Sequence, residues 1–136
     1  MVKSLHIKND IHQLTELRSF LDEVAVEFAL EQSLIPKLFL ALEEAVTNVI
    51  LYAYPKETGR DIDILIEKKE QSLHISIIDS GVPFDPMSKA TPDISLSAEE
   101  RPIGGLGIYL VKQMMTKLEY NRIGGKNILT MIKQLS

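Results

Sequence analysis

Leu42-Glu43-Glu44-Ala45-Val46-Thr47-Asn48-Val49 sets a carboxylate and an amide into what otherwise reads as the buried side of a helix. At 3.6 residues per turn, positions four apart differ by about 40° around the axis, so Glu44 and Asn48 share one polar stripe and Glu43 points elsewhere. Ala41 and Ala45 border that stripe on one side and Leu40 and Leu51 on the other, while Leu38, Leu42, Val49 and Tyr52 continue the apolar face. Polar groups at the edge of a core need a reason, because burying them without partners is costly. The small alanines leave room for a ligand. The carboxylate can take a proton from a hydroxyl, and the amide oxygen suits a hard cation already chelated by phosphates. A helix-surface pair, or hydrogen bonds to a neighbouring loop, would also account for the two residues.

Working outward, Ser33 is the expected cap of this helix and Pro36 suits its first turn; it should run to about Tyr54, where Pro55 stops it. Upstream, Leu14, Leu17, Leu21, Val24 and Phe28 recur at three- and four-residue steps, a second amphipathic helix beginning near Ile11 with Asn9 or Asp10 as its cap. Before it, Leu5 and Ile7 alternate with polar residues as a short strand. Downstream, Ile62, Ile64 and Ile66, then Leu73, Ile75 and Ile77, alternate as a hairpin turning across residues 68–71. After Asp79, Gly81, Pro83, Pro86, Pro92 and Pro102 break every regular pattern. Helical spacing returns in Leu106, Leu110, Val111, Met114 and Leu118, and two strand-like segments, around Tyr120 and over residues 128–132, flank the Gly124-Gly125 turn.

Three amphipathic helices combined with strands buried on one face predict an α/β fold, a two-layer sandwich with its helices packed on one side of the sheet, as one domain over residues 1–136. The chain of 136 residues is long enough for one such core. No apolar run is long enough to span a bilayer, the first ten residues lack the apolar core of a secretory signal, and there is no cysteine for a disulfide or a thiolate metal site. A cytoplasmic protein is expected. With a net charge of -4 and no basic run longer than Lys68-Lys69, direct nucleic-acid binding is disfavoured.

Two further motifs carry chemistry. Asp79-Ser80-Gly81-Val82-Pro83-Phe84 ends an apolar strand: as an ordinary turn it needs no ligand, but Asp79 held at a sheet edge is also an acceptor for an exocyclic amine such as that of adenine, with Gly81 letting the base approach. Pro102-Ile103-Gly104-Gly105-Leu106-Gly107-Ile108-Tyr109-Leu110 is a glycine turn opening a helix, where free N–H groups suit a phosphate; it matches neither the P-loop nor a dinucleotide fingerprint.

The order and spacing of the three motifs resemble the histidine-kinase-like ATPase superfamily, over roughly residues 33–136. Within it, Glu44-Ala45-Val46-Thr47-Asn48 and Gly104-Gly105-Leu106-Gly107-Ile108 are most similar to the anti-sigma factor serine kinases. The resemblance implies a mixed, mostly antiparallel sheet, ATP with Mg²⁺, and a lid over about residues 82–103. It assigns Asn48 to the metal, Asp79 and Gly81 to the adenine, and Arg101, Gly104, Gly105, Leu106 and Gly107 to the rest of the nucleotide. Glu44 becomes the base that helps a partner's serine attack the γ-phosphate. The implied partners are a sigma factor, which is sequestered, a small anti-anti-sigma protein of the STAS fold, which is phosphorylated, and a second copy of the chain. Two departures stand out: Pro102 and Ile103 separate Arg101 from Gly104, and Gly125-Lys126-Asn127 occupies the place where many relatives carry Gly-Thr, so no ligand is assigned there. None of His6, His12 and His74 lies on a helix suited to accept phosphate. An alternative reading keeps the nucleotide without the transfer, as a switch whose loop over residues 83–103 grips a partner when ATP orders it. A third is a detached catalytic module serving a separate histidine-containing chain.

Overall fold

Period-two alternation sends Ile62, Ile64, Ile66, Leu73, Ile75 and Ile77 to one face of a hairpin, where none is more than 1% exposed. The hairpin strands are β2 (Asp61–Lys69) and β3 (Ser72–Asp79), joined through Glu70 at φ 51. The computed structural model describes residues 1–88 and 105–135. With β1 (Val2–Lys8), β4 (Lys117–Ile123) and β5 (Lys126–Gln134), the strands form one sheet in the order β1-β2-β3-β5-β4, and every neighbouring pair is antiparallel. The final hairpin therefore places β5 between β3 and β4, with Ile75, Ile77 and Asp79 opposite Met131, Leu129 and Asn127.

Helices α1 (Leu14–Glu27), α2 (Ile35–Asn48) and α3 (Gly105–Met114) cover that apolar face. Leu17, Leu21 and Val24 of α1, Leu38, Ala41, Leu42, Ala45 and Val46 of α2, and Ile108 and Val111 of α3 join the strand residues in one core. This is the two-layer α/β sandwich that the alternation implies. On the other face, His6 sits between Asp61 and Asp63, and Ser76 meets Thr130. No helix among the described residues is long and apolar enough to cross a membrane.

Four local expectations are revised. Asp10 caps a short 3-10 turn (Ile11–Gln13) leading into α1, accepting from the His12 N–H, while Asn9 is buried and bonds Glu57 O and the Arg60 N–H instead. Ser33 makes no capping bond: the chain enters α2 through another 3-10 turn, Gln32–Leu34, with Pro36 in the first helical turn as expected. The α-helix ends at Asn48 rather than near Tyr54, and a π turn, Val49–Ala53, follows and closes with the Tyr54 N–H on Val49 O at 3.0 Å. Pro55 disfavours helical geometry at Tyr54, which adopts φ -120 and ψ 53. Leu118 belongs to β4 rather than to α3. The helix stops at Met114, whose carbonyl accepts from Lys133 Nζ at 2.7 Å, and the Thr116 N–H has already joined Ile132 O.

Candidate functional site

Asp79 is the last residue of β3 and 3% exposed, buried because the alternation that sends Ile75 and Ile77 inward sends it inward too. The turn after it is held at every backbone polar group of three residues. The Ser80 N–H donates to Tyr54 Oη at 2.7 Å and Ser80 O accepts from Arg60 at 3.1 Å. The Gly81 N–H donates to Asp79 Oδ1 at 2.8 Å and Gly81 O accepts from Arg122 at 2.7 Å. The Val82 N–H reaches Ala53 O, at the end of the π turn, at 2.9 Å, and Val82 O accepts from Asn127 Nδ2 at 2.8 Å. A turn with all six groups paired presents its carboxylate in a fixed pose. Gly81 has a packing reason of its own: a Cβ there would come within 2.2 Å of Ala53 O.

Asn127 stands opposite Asp79 on β5 and donates to its Oδ1 at 2.8 Å. Burial pushes the Asp79 carboxyl above the ordinary aspartate range, opposed by the bonds from Asn127 and Gly81 and by the charges of Arg122 and Arg60. Asp79 and Asn127 line one small cavity with Asn48, Ala45 and Val49 from the α2 side, Phe84 and Pro86 from the segment beyond the turn, and Tyr120 from β4. Phe84 stacks on Tyr52 with ring centroids 5.1 Å apart. The cavity measures about 20 Å³, room for about one water and far short of a purine.

Asn48 is 3% exposed and its Nδ2 has no hydrogen-bond partner among the described residues. An amide buried in that way forgoes about 1–3 kcal/mol. One helical turn earlier, Glu44 is half-buried and faces the first turn of α3: a Cβ at Gly107 would come within 1.9 Å of Glu44 Oε2. Burial, then the neighbouring charge of Glu43, raises the Glu44 carboxyl above its usual range. The geometry thus gathers Asn48 and Asp79 at one cavity and Glu44 with Gly107 at the adjoining start of α3. Gly105 begins α3. Arg101, Gly104 and the greater part of the lid expected over residues 82–103 lie outside the described residues, as does the side chain of Leu106. Among the described residues no group of three or more His, Cys, Asp or Glu side chains is placed to hold a metal ion.

Sequence reasoning missed Asn127, Tyr120, Tyr54, Arg60 and Arg122. The spacing of Asn127 from Leu129 and Met131, both inward, was a signal available for the first of these. The others reveal themselves only through partners distant in sequence.

A model of the histidine kinase-like ATPase domain matches residues 7–133, and the chain belongs to that family. Among curated proteins, it is 36% identical over 94 residues to a serine-protein kinase RsbW of Bacillus cereus (strain AH187) and to one of Bacillus anthracis, and 35% identical to one of Bacillus thuringiensis (strain Al Hakam). Those alignments cover 66% of this chain and 58% of each relative, so the match spans little more than half the relatives' length. Among solved structures, the RsbU and RsbW domains of a Mycobacterium tuberculosis protein superpose with a TM-score of 0.66 at 18% identity, covering 98% of this chain and 32% of that one. The Acinetobacter baumannii histidine kinase AdeS gives 0.53 at 17% identity, over 97% of this chain and 68% of its own. Both share the fold.

Proposed function

We propose that this chain binds Mg-ATP between α2 and the Asp79 end of the sheet and is a protein serine kinase of the anti-sigma type, which phosphorylates a small STAS-fold anti-anti-sigma protein and sequesters a sigma factor. The observation that carries the reading is the Asn48 carboxamide, buried with its donor unpaired among the described residues and lining one cavity with Asp79. Its oxygen would serve the metal, Asp79 the exocyclic amine of adenine, and the N–H groups opening α3 the phosphates. Bound there, Mg²⁺ would neutralise phosphate charge. Glu44, with its raised carboxyl beside Gly107, would accept the proton of the attacking serine. Membership of the ATPase family and the likeness to serine-protein kinases support the same reading. A cytoplasmic homodimer belongs to it and is checked by sedimentation.

The test is single-turnover phosphorylation of a STAS-fold partner, run beside direct ATP binding. Glu44→Gln keeps size and hydrogen bonding but cannot take the proton, so transfer should fall roughly 10²- to 10⁴-fold while ATP still binds. Asn48→Ala should fail earlier, at Mg-ATP binding, and Glu43→Gln should change little. Wild-type transfer by Glu44→Gln would sink the kinase mechanism. A second reading, a nucleotide-dependent binding switch without transfer, is favoured by Phe84 and Pro86 lining the cavity, since entry of a base displaces a segment that a partner can sense. ATP binding with no phosphoserine formed would select it.

A further inference from the structure

Asn127 is 4% exposed and uses its whole hydrogen-bonding capacity. Nδ2 donates to Asp79 Oδ1 and to Val82 O, each at 2.8 Å, and Oδ1 accepts from the Phe84 N–H at 3.2 Å and from Tyr120 Oη. Asn127 Nδ2 and the Gly81 N–H both donate to Asp79 Oδ1, which turns Oδ2 to the remaining side of the carboxylate. One side chain therefore fixes the carboxylate's rotation and ties down the first residues of the segment that lines the same cavity with Phe84 and Pro86.

We infer that Asn127 is a positioning residue that couples base recognition at Asp79 to the placement of residues 82–88, and so sets the preference for a base carrying an exocyclic amine. The inference rests on the adenine reading of the pocket. A hydroxyl at this position has one hydrogen to donate and serves either Asp79 or Val82; the carboxamide serves both while still accepting from Phe84. Retraction of Phe84 and Pro86 to admit a base pulls on the amide that orients Asp79, which links the two events through a single residue.

Two variants and two measurements test it. Calorimetric titration with Mg-ATP and with Mg-ITP, in which a carbonyl replaces the amine, gives the base preference. Amide hydrogen exchange over residues 82–88 gives the hold on the segment. Asn127→Leu, close in size and apolar, should lower the ATP-over-ITP preference by about tenfold, a loss that instability of the fold does not itself produce. Asn127→Thr, whose single hydroxyl hydrogen is drawn to the charged Asp79 carboxylate in preference to the Val82 carbonyl, should speed exchange over residues 82–88 by about tenfold or more, through loss of the bond to Val82. A folded Asn127→Leu protein with the wild-type preference, or an Asn127→Thr protein with wild-type protection, overturns the proposal. Should the leucine variant not fold, exchange in the threonine variant decides alone. Wild-type protein that binds ATP no better than ITP removes the adenine reading, and the proposal with it. Preference in the wild type that survives in Asn127→Leu removes only the role of Asn127.

Discussion

Asp79 is asked to be a buried acceptor, and its surroundings determine what its replacement should do. Because Oδ1 receives the Gly81 N–H and Asn127 Nδ2, an asparagine at 79 would keep its oxygen there and present its NH₂ at the other position. A donor would then face the amine it is meant to receive. Asp79→Asn should weaken ATP binding by about 10- to 100-fold, the range of a lost charge-assisted hydrogen bond, and reduce discrimination against GTP. Unchanged affinity by calorimetry in the folded variant would remove Asp79 from the site. A pH dependence follows from the same carboxyl, whose folded value burial has raised. Ionised in both states, such a group lowers stability; as pH falls through its folded value toward its unfolded one, that loss is recovered. Amine recognition, however, needs the carboxylate. Acidification should weaken ATP binding from a point above the ordinary aspartate range while the contribution of Asp79 to stability improves. Asp79→Asn should show neither trend, which paired calorimetry and thermal unfolding across that window would check.

At the scale of elements, two glycines make contrasting claims. Ala53 O, at the end of the π turn, bars a Cβ at Gly81, and a backbone atom cannot step aside cheaply; Glu44 Oε2 bars one at Gly107, and a side chain can. Gly81→Ala should cost about 1–3 kcal/mol of stability, as overpacking does, and displace the turn that carries Asp79. Gly107→Ala should unfold close to wild type but show slower phosphoryl transfer, because Glu44 is pushed from its position. Equal thermal unfolding of the two variants would contradict the distinction. The elements themselves were legible: alternation marked β2 and β3, three- and four-residue spacing marked α1 and α2, and the Glu44–Asn48 step placed both side chains on one stripe. Where α2 gives way to a π turn was not legible, since residues 49–53 carry an unbroken helical pattern and the change depends on Tyr54, Pro55 and the accepting role of Ala53 O toward Val82. Asn127 reads in the sequence only as part of a departure from a family pattern, because its four partners lie on β3, on β4, in the Asp79 turn and at Phe84.

For the whole molecule, the candidate site draws on α2, β3, β4, β5 and the start of α3, so a ligand held there braces elements from most of the chain. Mg-ATP at about 100 times its dissociation constant should raise the unfolding free energy by about 2.7 kcal/mol and move a single cooperative transition upward intact. Scanning calorimetry should show one peak displaced by ATP and little moved by GTP; a peak that splits would mean that the site belongs to part of the fold only.

The pairing of β3 with β5 bears on how the chain comes to fold. β2 and β3 meet across a tight turn, a local event, whereas Asp79 and Asn127 lie 48 residues apart and meet only after an intervening loop closes. Contacts separated by that much chain form slowly, since the entropy of closure must be met before any bond repays it. The corner built by Asp79 and Asn127 is consequently among the late parts to assemble, and a chain in which β5 has not yet paired lacks the Asn127 bond to Asp79. On the proposed reading, ATP binding would then report completion, being open to molecules in which β5 has already paired between β3 and β4.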